Sequence, residues 1–372
     1  MRKENFLNYI KNTDSLFINE DKSNYSLPVY SPESHYKEIS NSKYYKALLV
    51  LRNNIKQACD FYWSQIEGAY NMDLFMMTPS VSSPMGPGSD SEAVEIKFGN
   101  LRTFLVDSSQ FGFEPVILND IEKVYCYLPS MRGEDPDKRH LNQFYHCEAE
   151  IKGDMEKLLP MMENFVKFLS ETCLNMPNII SLLSLDNSSS VNYLNNINNA
   201  NKFSQIEYED AINILEDNKL KHLINYTDFG RDISSEGELE LLKILKANSP
   251  VWIRNFDRDR VAFYQKPHPQ NENKVINCDL LFPQSIEGSF WGEVIGGGQR
   301  QDNFTEILES LKRQNVDSEV YEWYMNIRNN NKYSVTSGFG MGIERFITWV
   351  LCRDDIKDVI FYPRLKNVVT YP

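Results

Sequence analysis

The sequence predicts an α+β fold with a central antiparallel β-sheet flanked by helices. Two observations carry this. Short strand-like patterns come in clusters, at 103–106, 123–128 and 144–151, and again at 251–254, 261–264, 276–281 and 292–295. Helical patterns stand between the clusters instead of alternating with single strands, the order expected of an antiparallel rather than a parallel sheet. No repeat of 20–50 residues argues for a solenoid or propeller.

At 372 residues, 41% of them hydrophobic, the chain can build one large core or two smaller ones. A formal net charge of −13 argues against a broad, nonspecific nucleic-acid surface and leaves room only for a local basic groove. Cys59, Cys126, Cys147, Cys173, Cys278 and Cys352 are scattered without a C-x-x-C pair. Buried free thiols in a reducing compartment are expected, not zinc or disulfides. The histidines show no metal spacing. Residues 1–20 lack the apolar stretch of a signal peptide, and no window approaches the roughly 20 apolar residues of a membrane span. The expectation is a cytoplasmic protein with no membrane partner.

Residues 1–42 read as a polar N-terminal extension interrupted by Pro28 and Pro32, and 43–372 as one domain. From Lys43 to about Glu67, Ala47, Leu48, Leu51, Ile55, Ala58, Phe61 and Tyr62 recur at three- and four-residue steps, predicting a helix. A short apolar run then reaches Thr78-Pro79, and 80–92 is a Ser/Pro/Gly-rich loop. Helices are predicted over 154–183, 208–216, 237–247 and 303–314, and from Gly342 to about Cys352. The Asn/Ser-rich stretch 186–202 reads as a surface insertion.

Three blocks carry chemistry. In the first, Arg132-Gly133-Glu134 and Arg139-His140, with Phe144, Glu148 and Glu150 beyond, lie on two strands joined by a turn. Guanidinium forks match phosphate oxygens, and Phe144 offers a ring to a purine; the alternative is a solvated hairpin with surface ion pairs. In the second, Gly338-Phe339-Gly340-Met341-Gly342 reads as a glycine turn entering a helix that carries Glu344-Arg345. Arg345 then sits near the helix N-terminus, where an anion would compensate it. In the third, Asp279 and Glu293 on adjacent strands could hold Mg²⁺ with substrate phosphates. Gly296-Gly297-Gly298 lets backbone approach a ligand, and Arg300 could clamp a carbonyl or carboxylate.

Taken together, these blocks resemble motif 2, motif 3 and the intervening substrate block of class II aminoacyl-tRNA synthetases, most like the asparaginyl members of the aspartyl/asparaginyl subgroup. The helix with Arg52, ending at Thr78-Pro79, is similar to motif 1, and the resemblance covers about 45–372. It implies the class II synthetase fold and a ligase that adenylates an amino acid with ATP and Mg²⁺. By that analogy Arg132 would hold the α-phosphate and the amino-acid carboxylate, and Glu134 the adenine edge. Phe144 would stack under adenine. Arg139, His140 and Arg345 would lie at the phosphates, with Arg132 and Arg345 the catalytic pair. Asp279 and Glu293 would bind Mg²⁺. Ser108, Gln110, Glu114 and Arg300 would read the amino acid, and Glu114 favours an amide over a carboxylate. A homodimer through residues 46–79 is implied.

The chain departs from that family in several places. The motif 2 loop between Arg132 and Arg139 is one residue shorter. Pro84 to Glu92 replaces the segment that grips the α-amino group, with Asp90 or Glu92 as substitutes. An insertion around 284–290 lengthens the stretch between Asp279 and Glu293. Only about 40 polar residues stand where an N-terminal anticodon-binding β-barrel would precede motif 1. The expectation is therefore transfer of the activated asparagine- or aspartate-like group to a non-tRNA acceptor: ammonia, an amine or a carrier thiol. The alternatives are an asparaginyl-tRNA ligase acting on the acceptor end of tRNA, and a non-catalytic paralogue.

Overall fold

The computed structural model describes residues 2–21, 24–82 and 91–371. Its centre is a sheet of eight strands. In chain order these are β1 (Tyr70–Asn71), β2 (Lys123–Met131), β3 (Gln143–Lys152), β4 (Ser204–Glu207), β5 (Val251–Arg254), β6 (Asn277–Phe282), β7 (Gly292–Gln299) and β8 (Thr336–Gly342). They lie side by side as β1-β2-β3-β8-β7-β6-β5-β4. The six inner strands pair antiparallel, and β1 and β4 join the two edges in parallel. The sheet is thus antiparallel-dominated with helices packed on it.

The helices that matter to the site are α1 (Lys3–Asp14), α2 (Lys43–Phe61), α3 (Met155–Leu174), α4 (Asn187–Asn199), α5 (Ser235–Ile244) and α6 (Ile343–Val350). Ser42 accepts from the Tyr44 amide to cap α2, and Asp154 accepts from Lys157 to cap α3. Leu48, Leu51 and Ile55 of α2, Phe165 and Leu169 of α3, and Phe346 and Trp349 of α6 close one core on one face of the sheet. Cys147, Ala149 and Ile151 of β3 point into that core. The alternating residues Phe144, His146, Glu148 and Glu150 face the other way, because successive side chains of a strand leave opposite faces.

The structure differs from the sequence expectations in four places. Residues 1–42 are not an appendage: Phe6, Ile10 and Phe17 are buried in the main core, and Asp14 accepts from the amides of Asn178 and Ile179. The 186–202 stretch is mostly helix α4, capped by Asp186, with Leu194 and Ile197 buried and most Asn and Ser left to solvent. Residues 261–264 form no strand; Phe263 and Tyr264 instead fill a separate aromatic cluster with Phe111, Tyr321 and Tyr324. The glycine run at 338–342 is strand, not turn. All six cysteines are free and buried. Among the described residues no helix is long and apolar enough to cross a membrane.

Candidate active site

Two cavities meet on the open face of the sheet. The first is lined by Arg132, Glu134, Arg139, His140, Phe144 and Arg345, together with Glu293. Strand β3 presents Phe144, the connection from β2 supplies the first four, and the first turn of α6 carries Arg345. Asn142 donates to the carbonyls of Arg132 (2.8 Å) and Glu134 (2.7 Å), which fixes that connection. The Arg132 guanidinium lies 5.4 Å from the Phe144 ring centre, and its buried Nε has no hydrogen-bond partner among the described residues. Buried guanidinium N–H groups without acceptors mark a place for an anion. Arg139 is similar. It pairs with Glu238 of α5 (3.2 Å), lies over Phe290 and Trp291, and among the described residues its Nε and Nη1 have no partner.

Arg345 donates to the Glu293 carbonyl (2.9 Å) and carboxylate (3.1 Å) and lies 3.1 Å from His140 Nε2. His140 also meets Asp137 at 2.8 Å. Burial and the neighbouring Arg345 hold His140 below the ordinary imidazole range, against the pull of Asp137.

The second cavity is lined by Ser108, Gln110, Glu148, Gln265, Asp279 and Arg300, among others. Glu148 accepts from Ser108 Oγ (2.7 Å), the Ser109 amide (2.7 Å) and Ser109 Oγ, and lies 3.1 Å from His146 Nδ1. Burial pushes this carboxyl up, but His146 and the two serines outweigh it and bring it down to about 2. Arg300 grips Glu150 with two nitrogens, Nε at 3.0 Å and Nη2 at 2.7 Å, and both side chains are buried. Gln110 Nε2 and Gln265 Oε1 are buried without partners among the described residues, a donor and an acceptor left for a ligand.

The site needs glycine for space. In the register of β7 and β8, Gly296 opposes Gly340 and Gly298 opposes Gly338. A Cβ on Gly338 would overlap the Glu150 carboxylate, and one on Gly296 would come within 2.9 Å of Glu293 Oε1 and 3.3 Å of Asp279 Oδ1. The glycines therefore form a low floor between the walls of β3 and β6.

Asp279 and Glu293 approach across that floor. Burial, Glu293 and Glu238 push Asp279 well above the ordinary carboxyl range, whereas Arg345 and Arg132 hold Glu293 down against burial. A buried carboxyl pushed up by its acidic neighbours also suits a cation, and the ionised Glu293 beside it adds a second oxygen donor. No cluster of three or more His, Cys, Asp or Glu among the described residues could hold a metal alone. The two carboxylates thus fit a Mg²⁺ that takes its other ligands from phosphates and water.

Of the residues expected from the sequence to bind ATP, metal or amino acid, all but Glu114 line one of the two cavities; Glu150, fully buried behind Arg300, lines neither. Glu114 is buried behind the second one, paired with Arg328 at 2.8 Å and accepting from Tyr324 Oη, and it meets neither cavity. Glu92 pairs with Lys366 (3.0 Å), and Asp90 lies outside the described residues. His146, Gln265 and Glu238 are site residues that sequence reasoning did not single out. The alternation of β3 signals His146; Gln265 and Glu238 have no local signal.

The description "tRNA synthetases class II (D, K and N)" matches residues 35–366. The chain belongs to this family. Its relatives include the asparagine–tRNA ligase of Thermoplasma acidophilum, 28% identical over 87% of this chain and 70% of that protein. The asparagine–tRNA ligase of Thermococcus gammatolerans is 29% identical over 74% of this chain and 60% of its own length. Some relatives therefore extend well beyond the matched region. Among solved structures, asparaginyl-tRNA synthetase from Pyrococcus horikoshii complexed with asparaginyl-adenylate superposes with a TM-score of 0.80 at 25% identity, covering 92% of this chain and 74% of that one. The class II fold and the asparaginyl/aspartyl subgroup expected from the motifs are the fold and subgroup found.

Proposed function

We propose that this chain uses ATP to convert asparagine to asparaginyl-adenylate, and then passes the asparaginyl group to a ribose hydroxyl at the acceptor end of tRNA. The two cavities and the relatives named as asparagine–tRNA ligases support the adenylation half. The relatives also favour tRNA over ammonia, an amine or a carrier thiol as acceptor.

The choice of asparagine rests on Glu150. A substrate carboxylate would need the fork of Arg300, and Glu150 already fills that fork edge. With Glu148 ionised beside the pair, a second carboxylate would meet net negative charge. An amide needs only a donor for its oxygen and an acceptor for its NH₂. Arg300 and Gln110 can supply the first, and the carboxylates or Gln265 the second. Amide selection thus moves from Glu114, which is turned away and satisfied by Arg328, to Arg300, which lines the cavity with its charge already matched by the buried Glu150.

In the first step the amino-acid carboxylate attacks the α-phosphorus, and negative charge grows on that phosphate. Arg132, with its unpartnered Nε, is aimed to meet it. No general base is needed because the nucleophile is already ionised. Phe144 offers its ring to the purine and Glu134 its carboxylate to the adenine edge. Arg139, His140 and Arg345 hold the departing phosphates. A Mg²⁺ ion held by Asp279 and Glu293 would neutralise phosphate charge and ease the loss of pyrophosphate. We read the outer face of α2, with exposed Leu49 above Asn53 and Lys56, as the contact of a homodimer through residues 46–79.

Amino-acid-dependent ATP–pyrophosphate exchange tests the reading. Exchange with asparagine should exceed exchange with aspartate, and asparagine should appear on tRNA. Exchange without charging, but with product on ammonium, would move the acceptor; no exchange with either amino acid would sink the proposal.

A further inference from the structure

Among the described residues four line both cavities: Arg132, His146, Glu293 and Gly340. If asparagine occupies one cavity and ATP the other, the mixed anhydride forms at this junction. Arg132 is a permanent cation, Gly340 has no side chain, and Glu293 is tied to Arg345. The fourth, His146, has no task in adenylation, because the attacking carboxylate carries no proton to remove. Yet its ring is oriented as a base is oriented. Nδ1 lies 2.9 Å from Ser130 Oγ and 3.1 Å from Glu148 Oε1. An ionised carboxylate only accepts, so Nδ1–H donates to Glu148 and the lone pair is left on Nε2. Ser108 and Ser109 fix Glu148 in turn. Phe144 packs edge-on against the ring, with centres 4.8 Å apart. Among the described residues the ring's hydrogen bonds are made at Nδ1, none at Nε2, and the side chain keeps 12% of its surface exposed.

We propose that His146 is the general base of the transfer step, a residue that deprotonates the acceptor as it attacks the adenylate. This rests on the adenylation reading of the site. The acceptor's ribose oxygen forms a bond to the carbonyl carbon of the adenylate, and its hydroxyl proton passes to His146 Nε2. The bond from that carbon to the phosphate oxygen then breaks, AMP leaves as the phosphate anion, and an aminoacyl ester remains. The imidazolium formed is stabilised by Glu148, which already holds Nδ1. The arrangement follows the general pattern of a base oriented by a third group, here serving a nucleophile that arrives from outside the protein.

The experiment uses the full chain with asparagine, ATP and tRNA, and reads two rates: pyrophosphate exchange, and single-turnover transfer from preformed enzyme-bound asparaginyl-adenylate. His146→Ala should keep exchange within tenfold of the starting protein while transfer falls about 10²–10⁴-fold, the usual worth of a general base. Added imidazole should restore part of the lost transfer. His146→Gln, which keeps the bulk of the ring position filled, should show the same split. Undiminished transfer in both variants overturns the proposal. So does equal loss of both rates without imidazole rescue, which would make His146 a structural residue. Absence of exchange in the unsubstituted protein refutes the adenylation reading itself, and is seen before any variant is compared.

Discussion

Arg132 sits where two demands meet: it faces an aromatic ring and keeps a buried N–H free. Its removal should cost exchange activity about 10²–10³-fold, the usual loss for one donor to a developing oxyanion. Arg132→Ala exchange kinetics, with folding followed by circular dichroism, check this. Arg345→Ala should abolish exchange while leaving the fold intact, because its partners Glu293 and His140 both border open space. Glu148 makes a prediction about stability. Its folded-state value of about 2 lies below the ordinary 4.5, despite burial, through His146 and the serines. A depressed carboxyl adds stability that is present above about pH 4.5 and is lost as pH falls toward 2. The most it can contribute is about 3 kcal/mol. Glu209 and Asp257, held down mainly by Arg231 and Lys274, titrate in the same range. Comparing urea midpoints of the starting protein and Glu148→Gln between pH 5 and 3 isolates the Glu148 share, and the variant's curve should be the flatter.

At the scale of elements, the paired glycines of β7 and β8 set the depth of the site. Gly338→Ala would push a Cβ into the Glu150 carboxylate, and Arg300 would lose its partner's position. Breaking a buried ion pair costs about 3–5 kcal/mol. The variant should unfold at markedly lower denaturant and lose asparagine-dependent exchange; full stability with full exchange would show that the Glu150–Arg300 fork is not needed. These glycines also explain which parts of the fold were readable. Alternation over 144–151 announces β3 and its site-facing residues, because period two survives even when both faces are buried. The run at 338–342 reads as a turn, because local glycine content cannot reveal that the neighbours across the sheet are large acidic side chains. The same limit hides Glu114's true partner: Arg328 is over two hundred residues away, and only the packing of Tyr324 and Tyr333 brings it there. The residues proposed to hold phosphates were legible as a group because they lie in short local blocks, and the structure brings those blocks to one cavity. The second cavity was less so, because its lining is assembled from eight separate stretches of chain among the described residues.

At the scale of the whole molecule, α2 joins the outer surface to the active site. On its inner side Arg52 donates to Glu344 at 2.7 Å and to the Val359 carbonyl at 2.7 Å. Glu344 also accepts from the Tyr145 amide at 2.8 Å and directly precedes Arg345. One buried ion pair therefore ties α2 to β3 and to the start of α6. On its outer side Leu49 is 58% exposed, in an apolar groove with Tyr127, Tyr145 and Tyr362. An exposed apolar groove rimmed by polar groups is the form of an association surface. If the proposed dimer uses this face, a charge placed in it should separate the subunits and also loosen the anchor of Arg345. Leu49→Arg should then sediment as a monomer at concentrations where the starting protein is dimeric, and exchange should fall at least tenfold with little change in helical content. Retained dimer would move the interface elsewhere. A monomer with undiminished exchange would show that the Arg52–Glu344 tie holds the site without help from a second subunit.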